Sequence, residues 1–203
     1  MYKKLIIVFE GIEGTGKSHH INKIATYLKK KNKKFIQIRE PGGCINSEKI
    51  RRLILNNKST FNKYTDLLLY LSARSENLEL IKKNIGKKII LIDRFSDSTI
   101  AYQHYGMGVN LKFINDINNF LLKNIDIDFT FLNTVSQKNM KERLFRRKNL
   151  NRYDKFNSIF YDKVQKGFVK IFKNNPKKYM KINSNLEINQ NEKIILNKIN
   201  DLI

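Results

Sequence analysis

Tryptophan is absent from this 203-residue sequence, cysteine occurs once and proline only twice. With Cys44 alone no intrachain disulfide can form, so a disulfide-stapled secreted fold is excluded and a reducing cytoplasm is the expected location. Two prolines rule out an extended Pro-rich linker, and a hydrophobic content of 41% rules out intrinsic disorder. No apolar stretch approaches the ~20 residues that a bilayer span requires. The run Leu5 to Phe9 is too short for a signal-peptide core, so a soluble, untargeted protein with no membrane partner is expected. The three histidines, His19, His20 and His104, stand in no metal-ligand arrangement.

Acid is also scarce: 18 Asp and Glu face 40 Lys and Arg, for a net charge of +22. Such a chain attracts any polyanion. A dedicated nucleic-acid surface, however, needs a clustered stripe, and these lysines are spread along the whole length beside Asn and Ile. No specific nucleic-acid partner is therefore expected. The densest run, Lys29 to Lys34, closes a predicted helix, where positive charge suits the helix dipole and solvent.

The chain alternates strand and helix patterns. "KKLIIVFE" is a continuous apolar run, as expected for a strand buried on both faces of a parallel sheet. Ile21, Ile24, Ala25 and Leu28 then recur at helical spacing between Ser18 and Lys30, and "KFIQIRE" reads as a second strand. Helical spacing follows around Glu48 to Leu55 and from about Tyr64 to Ile85. "KKIILIDRF" is a third buried strand, ending at Asp93. Residues 96–105 and 111–122 read as helical, "DIDFTFLN" as a fourth strand and 136–147 as a helix. The charged stretch "RRKNLNRYDKF" precedes a helix from about Asn157 to Phe172. "KKYMKIN" gives a fifth strand and Glu192 to Ile203 a closing helix. This order predicts a five-stranded, mostly parallel α/β sheet with helices on both faces, a three-layer sandwich over 1–203 without a second domain.

In "FEGIEGTGKS", Gly11, Gly16, Lys17 and Ser18 match G-x-x-x-x-G-K-[ST] between a predicted strand and a predicted helix. That context suits a phosphate: glycines let the backbone approach, amides point at the anion, and the helix N-terminus adds partial positive charge. Gly11, Ile12, Glu13, Gly14, Thr15, Gly16, Lys17 and Ser18 are thus the expected ATP-binding loop of a P-loop NTPase. Lys17 would reach the β and γ phosphates, and Ser18 with Asp93, at the end of the third strand, would hold Mg²⁺. Arg94, next in sequence, suits a phosphate on a second ligand.

"FEGIEGTGKS", "REPGG" at 39–43, "LYLSAR" at 69–74, "DRFSDSTIAYQ" at 93–103 and "NRYDKF" at 151–156 occur in the order and spacing of thymidylate kinases, and the resemblance covers most of the chain. It implies that Glu40 and Pro41 line the acceptor nucleotide and that Arg51 meets its phosphate, against the alternative of a solvated helix residue. Tyr70 stands where the family places an aromatic ring on the thymine face, although its leucine neighbours also allow core packing. Arg74, one helical turn on, matches the arginine of the base edge. Arg94 is implied for phosphate, Ser98, Thr99 and Gln103 for the base, and Tyr102 for packing against the deoxyribose. A lid at about 146–156 would supply Arg146, Arg147 or Arg152; with Glu13 and no arginine in the phosphate loop, the chain resembles the bacterial type with a lid arginine. The implied catalytic set is Lys17, Arg94, Arg152 and Glu13. Cys44 stands where Thr is usual, Phe95 where Tyr is usual, and His104 and Met107 where Gly and Arg are common. The implied activity is transfer of the γ-phosphoryl group of ATP to dTMP with Mg²⁺, in a homodimer. The alternatives are a kinase for another nucleoside monophosphate or a deoxynucleoside, and a P-loop nucleic-acid-binding ATPase.

Overall fold

The computed structural model describes residues 5–203. Lys3 and Lys4, at the head of the first expected strand, lie outside the described residues. Five strands, β1 (Ile6–Glu10), β2 (Phe35–Arg39), β3 (Ile89–Asp93), β4 (Phe129–Thr134) and β5 (Tyr179–Asn183), form one sheet in the order β2-β3-β1-β4-β5. Every pairing is parallel. The expected P-loop-type α/β architecture is what the structure has.

The continuous apolar runs follow from burial on both faces. Ile7 and Phe9 of β1 join Leu91, Phe131 and Ile182 in a layer closed by α1 (Lys17–Lys30) and α8 (Ile188–Leu202), through Ile21, Ile24, Leu28, Ile195 and Ile199. Ile6 and Val8, one pleat away, meet Ile90, Ile92 and the helix α3 (Lys63–Asn84) through Leu78 and Ile81 on the other face. The edge strands β2 and β5 carry exposed Gln37 and Lys181, which blunts edge-to-edge pairing.

Helix starts are set by local chemistry. The Asn62 side chain accepts from the amides of Tyr64 and Thr65 and caps α3, while Asn157 accepts from Phe160 at the head of α7 (Ser158–Asn174). The remaining helices are α2 (Ile45–Leu55), α4 (Ser96–Thr99), α5 (Leu111–Leu121) and α6 (Gln137–Phe145). The helix expected at 96–105 is composite: α4 passes into a π-helix, Ile100–Gly106, a widened turn of the kind that gathers at functional sites. α7 lies tightly on this segment, because a Cβ on Gly167 would come within 2.5 Å of the Tyr105 ring. The closing helix starts at Ile188, four residues earlier than expected, because Asn189, Gln190 and Asn191 after it interrupt the apolar spacing.

Candidate active site

β1 is central, with β3 on one side and β4 on the other, so the loop after it opens where the connections change direction, the position where such sheets bind ligands. Gly11 has φ +132°, and a Cβ there would sit 2.1 Å from the Asn133 carbonyl oxygen, so only glycine lets the loop pass β4. Gly16, with φ +82°, precedes α1; no side chain caps that helix, and its first turn holds no acid. The first amides of α1 are left for an anion.

Lys17 is buried, and its Nζ donates to the carbonyls of Gly11 (2.9 Å) and Ile12 (2.8 Å) and to Thr15 Oγ1 (3.2 Å). Burial, with Arg94 as a second positive neighbour, lowers its pKa to about 7. A bound triphosphate favours the ammonium form. Binding of ATP above pH ~7 should therefore take up a proton: the free site lacks it, the complex holds it, and affinity falls by up to about tenfold per pH unit as pH rises. Calorimetry at about pH 8 in buffers of differing ionisation heat should show uptake that fades near pH 6; no uptake at either pH would contradict this assignment.

A cleft of about 430 Å³ opens over the loop. Its walls bring together Glu13, Lys17, Ser18, Asp93 and Arg94 on one side with Glu40, Pro41, Arg51 and Tyr70 on the other. Ser18 donates to Asp93 Oδ2 at 2.9 Å, so hydroxyl and carboxylate already meet. Arg94 holds a left-handed backbone, φ +67°, rare for a residue with a side chain. Its guanidinium donates to the Gly11 carbonyl (2.7 Å) and Glu13 Oε1 (2.9 Å) and lies 5.1 Å from the Tyr102 ring centre. Tyr102 donates to the other Glu13 oxygen at 2.5 Å. Burial alone would raise the Glu13 carboxyl, but Arg94 and Lys17 beside it hold it below the usual carboxylate range. Glu13, Tyr70, Arg94, Ser98, Tyr102 and Gln103 surround a narrow recess leading off the cleft.

The structure differs from expectation on two arginines. Arg74 is 1% exposed and already satisfied by protein: Nε on Glu40, Nη1 on Asn118 and Nη2 on Thr99, each at 2.8–2.9 Å. Its burial thus needs no ligand to explain it, and Thr99 is turned to Arg74 beneath the recess. Arg74→Ala should cost ~3–5 kcal/mol by leaving Glu40 buried and unpaired, a loss measurable as a lower urea midpoint. Arg152 is turned away from the phosphate loop, because the Asp66 carboxylate and the Ile54 carbonyl (2.9 Å) hold its guanidinium over the Phe61 ring. Arg147 is the arginine of segment 146–156 that lines the cleft, held by Asp154 at 2.8 Å; Arg146 points to solvent.

Several side chains escaped the sequence reading. Glu10 is buried at the end of β1, accepts from the amides of Phe95 and Ser98 and from the Ser98 hydroxyl (2.5 Å), and so fixes the start of α4. Burial and the nearby Asp97 raise its pKa to about 8. Arg143 donates to the carbonyls of Gly14 (2.8 Å) and Ser184 (2.7 Å). It lines a second cavity of about 360 Å³ with Gly14, Gly16, His20 and Asn191, on the far side of the phosphate loop. Only charge on a helix marked Arg143 in the sequence. Asp66 and Tyr153, both buried and bonded to Gln103, were given no role by the sequence, although Tyr153 falls within the motif "NRYDKF".

An anion-binding loop on one side of the Glu13–Arg94 pair and an aromatic, amide-lined recess on the other define an ATP-dependent nucleoside monophosphate kinase. A sequence profile described as thymidylate kinase matches residues 9–195. The thymidylate kinase of Thermosipho africanus is 42% identical over 171 residues, covering 83% of this chain and 85% of that protein. That of Mycoplasma capricolum is 36% identical, covering 97% of both chains. A crystal structure of thymidylate kinase from Ehrlichia chaffeensis superposes with a TM-score of 0.79 at 29% identity, covering 98% of this chain and 99% of that one. The chain belongs to the thymidylate kinase family.

Proposed function

We propose that this protein transfers the γ-phosphoryl group of ATP to the 5′-phosphate of dTMP, giving dTDP and ADP. The observation that carries the reading is the Glu13–Arg94 contact, which joins the phosphate loop to the acceptor recess across 2.9 Å. The triphosphate lies on the amides of residues 11–18 and on Lys17, with the donor base toward Arg143 in the second cavity. The acceptor phosphate faces Arg94 and Arg51, the base lies on Tyr70 near Ser98 and Gln103, and Tyr102 packs on the sugar where a 2′-hydroxyl would clash. Glu13 orients Arg94 and Tyr102 through its two oxygens.

No protein nucleophile is needed. The acceptor phosphate attacks in line, and the side chains position the reactants, neutralise charge and exclude water. The hard oxygens of Ser18 and Asp93, 2.9 Å apart beside the loop, fit Mg²⁺, which would neutralise charge on the phosphates. Segment 146–156 serves as the lid, with Arg147 toward the transferred group and Arg152 as its anchor.

We also propose that 1–203 acts as one domain in the cytoplasm and pairs as a homodimer. Leu53, Tyr64, Leu68 and Phe113, each 41–53% exposed, give α2, α3 and α5 the apolar surface that favours pairing. Among the described residues no helix is long and apolar enough to cross a membrane. A coupled assay with ATP, Mg²⁺ and each pyrimidine monophosphate in turn tests the main reading. Turnover with dTMP well above the others supports it; preference for another monophosphate, or none for any, refutes it.

A further inference from the structure

Gln103 lies in the π-helical segment, 1% exposed, and lines the acceptor recess. Its Nε2 donates to Asp66 Oδ2 at 3.0 Å and to the Tyr153 hydroxyl oxygen at 3.2 Å. A carboxylate only accepts, and the Tyr153 hydroxyl gives its own hydrogen to the same Asp66 oxygen. Both groups facing the amide therefore require a donor. The flipped amide would set its oxygen against two acceptors, so the NH₂ end is fixed toward Asp66 and Tyr153. That consumes both amide hydrogens. The oxygen, Oε1, is left buried with no protein partner, a costly state unless a ligand supplies an N–H or O–H.

We propose that Asp66 and Tyr153 are positioning residues that set acceptor-base specificity by holding the Gln103 amide with its oxygen toward the base edge. This rests on the reading that the recess receives the acceptor nucleobase. A lone acceptor pairs with the N3–H of thymine or uracil and meets N3 of cytosine acceptor to acceptor, so the arrangement selects against cytosine. The other Asp66 oxygen takes Arg152. One carboxylate thus ties the segment at 151–153 to the residue that reads the base.

The test is steady-state kinetics of wild type, Asp66→Asn and Tyr153→Phe with dTMP and dCMP, with the KM for ATP measured alongside. Asn at 66 can donate as well as accept, so the Gln103 amide is free to flip; Phe at 153 keeps the ring and deletes the oxygen. The dTMP-to-dCMP ratio of kcat/KM should fall about tenfold or more in Asp66→Asn and severalfold in Tyr153→Phe. The change should lie in the KM of the two acceptors, with the KM for ATP within about twofold of wild type. An unchanged ratio in both variants overturns the proposal, as does a parallel loss with both acceptors and with ATP, which is what a merely structural role predicts. If Asp66→Asn does not fold, the Tyr153→Phe ratio decides. A wild-type protein that turns over neither dTMP nor dCMP overturns the underlying reading instead.

Discussion

Lys17→Ala should reduce turnover by about 10³-fold or more while leaving the fold intact. Among the described residues Lys17 is the one cation whose ammonium is bonded inside the phosphate loop, against Gly11, Ile12 and Thr15. Among the described residues no other cation makes these contacts, so on the proposed reading the charge developing on the transferred group loses its nearest fixed partner. The effect on stability has opposing parts. Two loop carbonyls lose a donor, at ~1–3 kcal/mol, but a cation that burial already drives toward neutrality no longer has to be buried. A melting midpoint within a few degrees of wild type, together with the lost turnover in a coupled assay, is the expected pair of results. A variant that keeps most of its activity would contradict the phosphate-loop assignment.

Arg94→Ala should raise the KM for the acceptor monophosphate by about 10²-fold and that for ATP by less than about threefold. Arg94 follows β3 and lines the recess, whereas the proposed triphosphate site is built on main-chain amides and Lys17, a loop that Arg94 meets through the Gly11 carbonyl and Glu13. Its left-handed backbone adds no new strain, since alanine there is no worse placed than arginine. The loss of charge matters more: Glu13 would lose the cation that does most to lower its pKa, and its carboxyl should rise toward the range that burial favours. The variant's activity should accordingly depend on pH in a range where wild type does not. Arg94→Lys, which keeps the charge and loses the planar fork, should fall between the two. Equal effects on both substrates would refute the proposed division of the cleft.

The three inner strands could be read because each is buried on both faces, which turns an alternating pattern into a continuous apolar run such as Ile6 to Phe9. The loop could be read because few residue types permit a backbone like that of Gly11. The π-helical turn could not, since seven residues are too few to separate its period from that of an α-helix. Side-chain direction was equally hidden. Arg74 and Arg152 carry the same charge as Arg94, yet tertiary placement turns them to Glu40 and Asp66 rather than into the cleft. The family resemblance implied a place near the base for Gln103, whereas the direction of its amide depends on partners 37 and 50 residues away.

The central position of β1 governs when the protein can first hold a nucleotide. Its neighbours, β3 and β4, end at Asp93 and Thr134, so a chain emerging from the ribosome has its loop long before it has the two walls that shape it. Until Asn133 is in place, nothing opposes the bare face of Gly11. ATP can thus reward only a nearly finished molecule, and fragments ending before β4 should gain no protection from it.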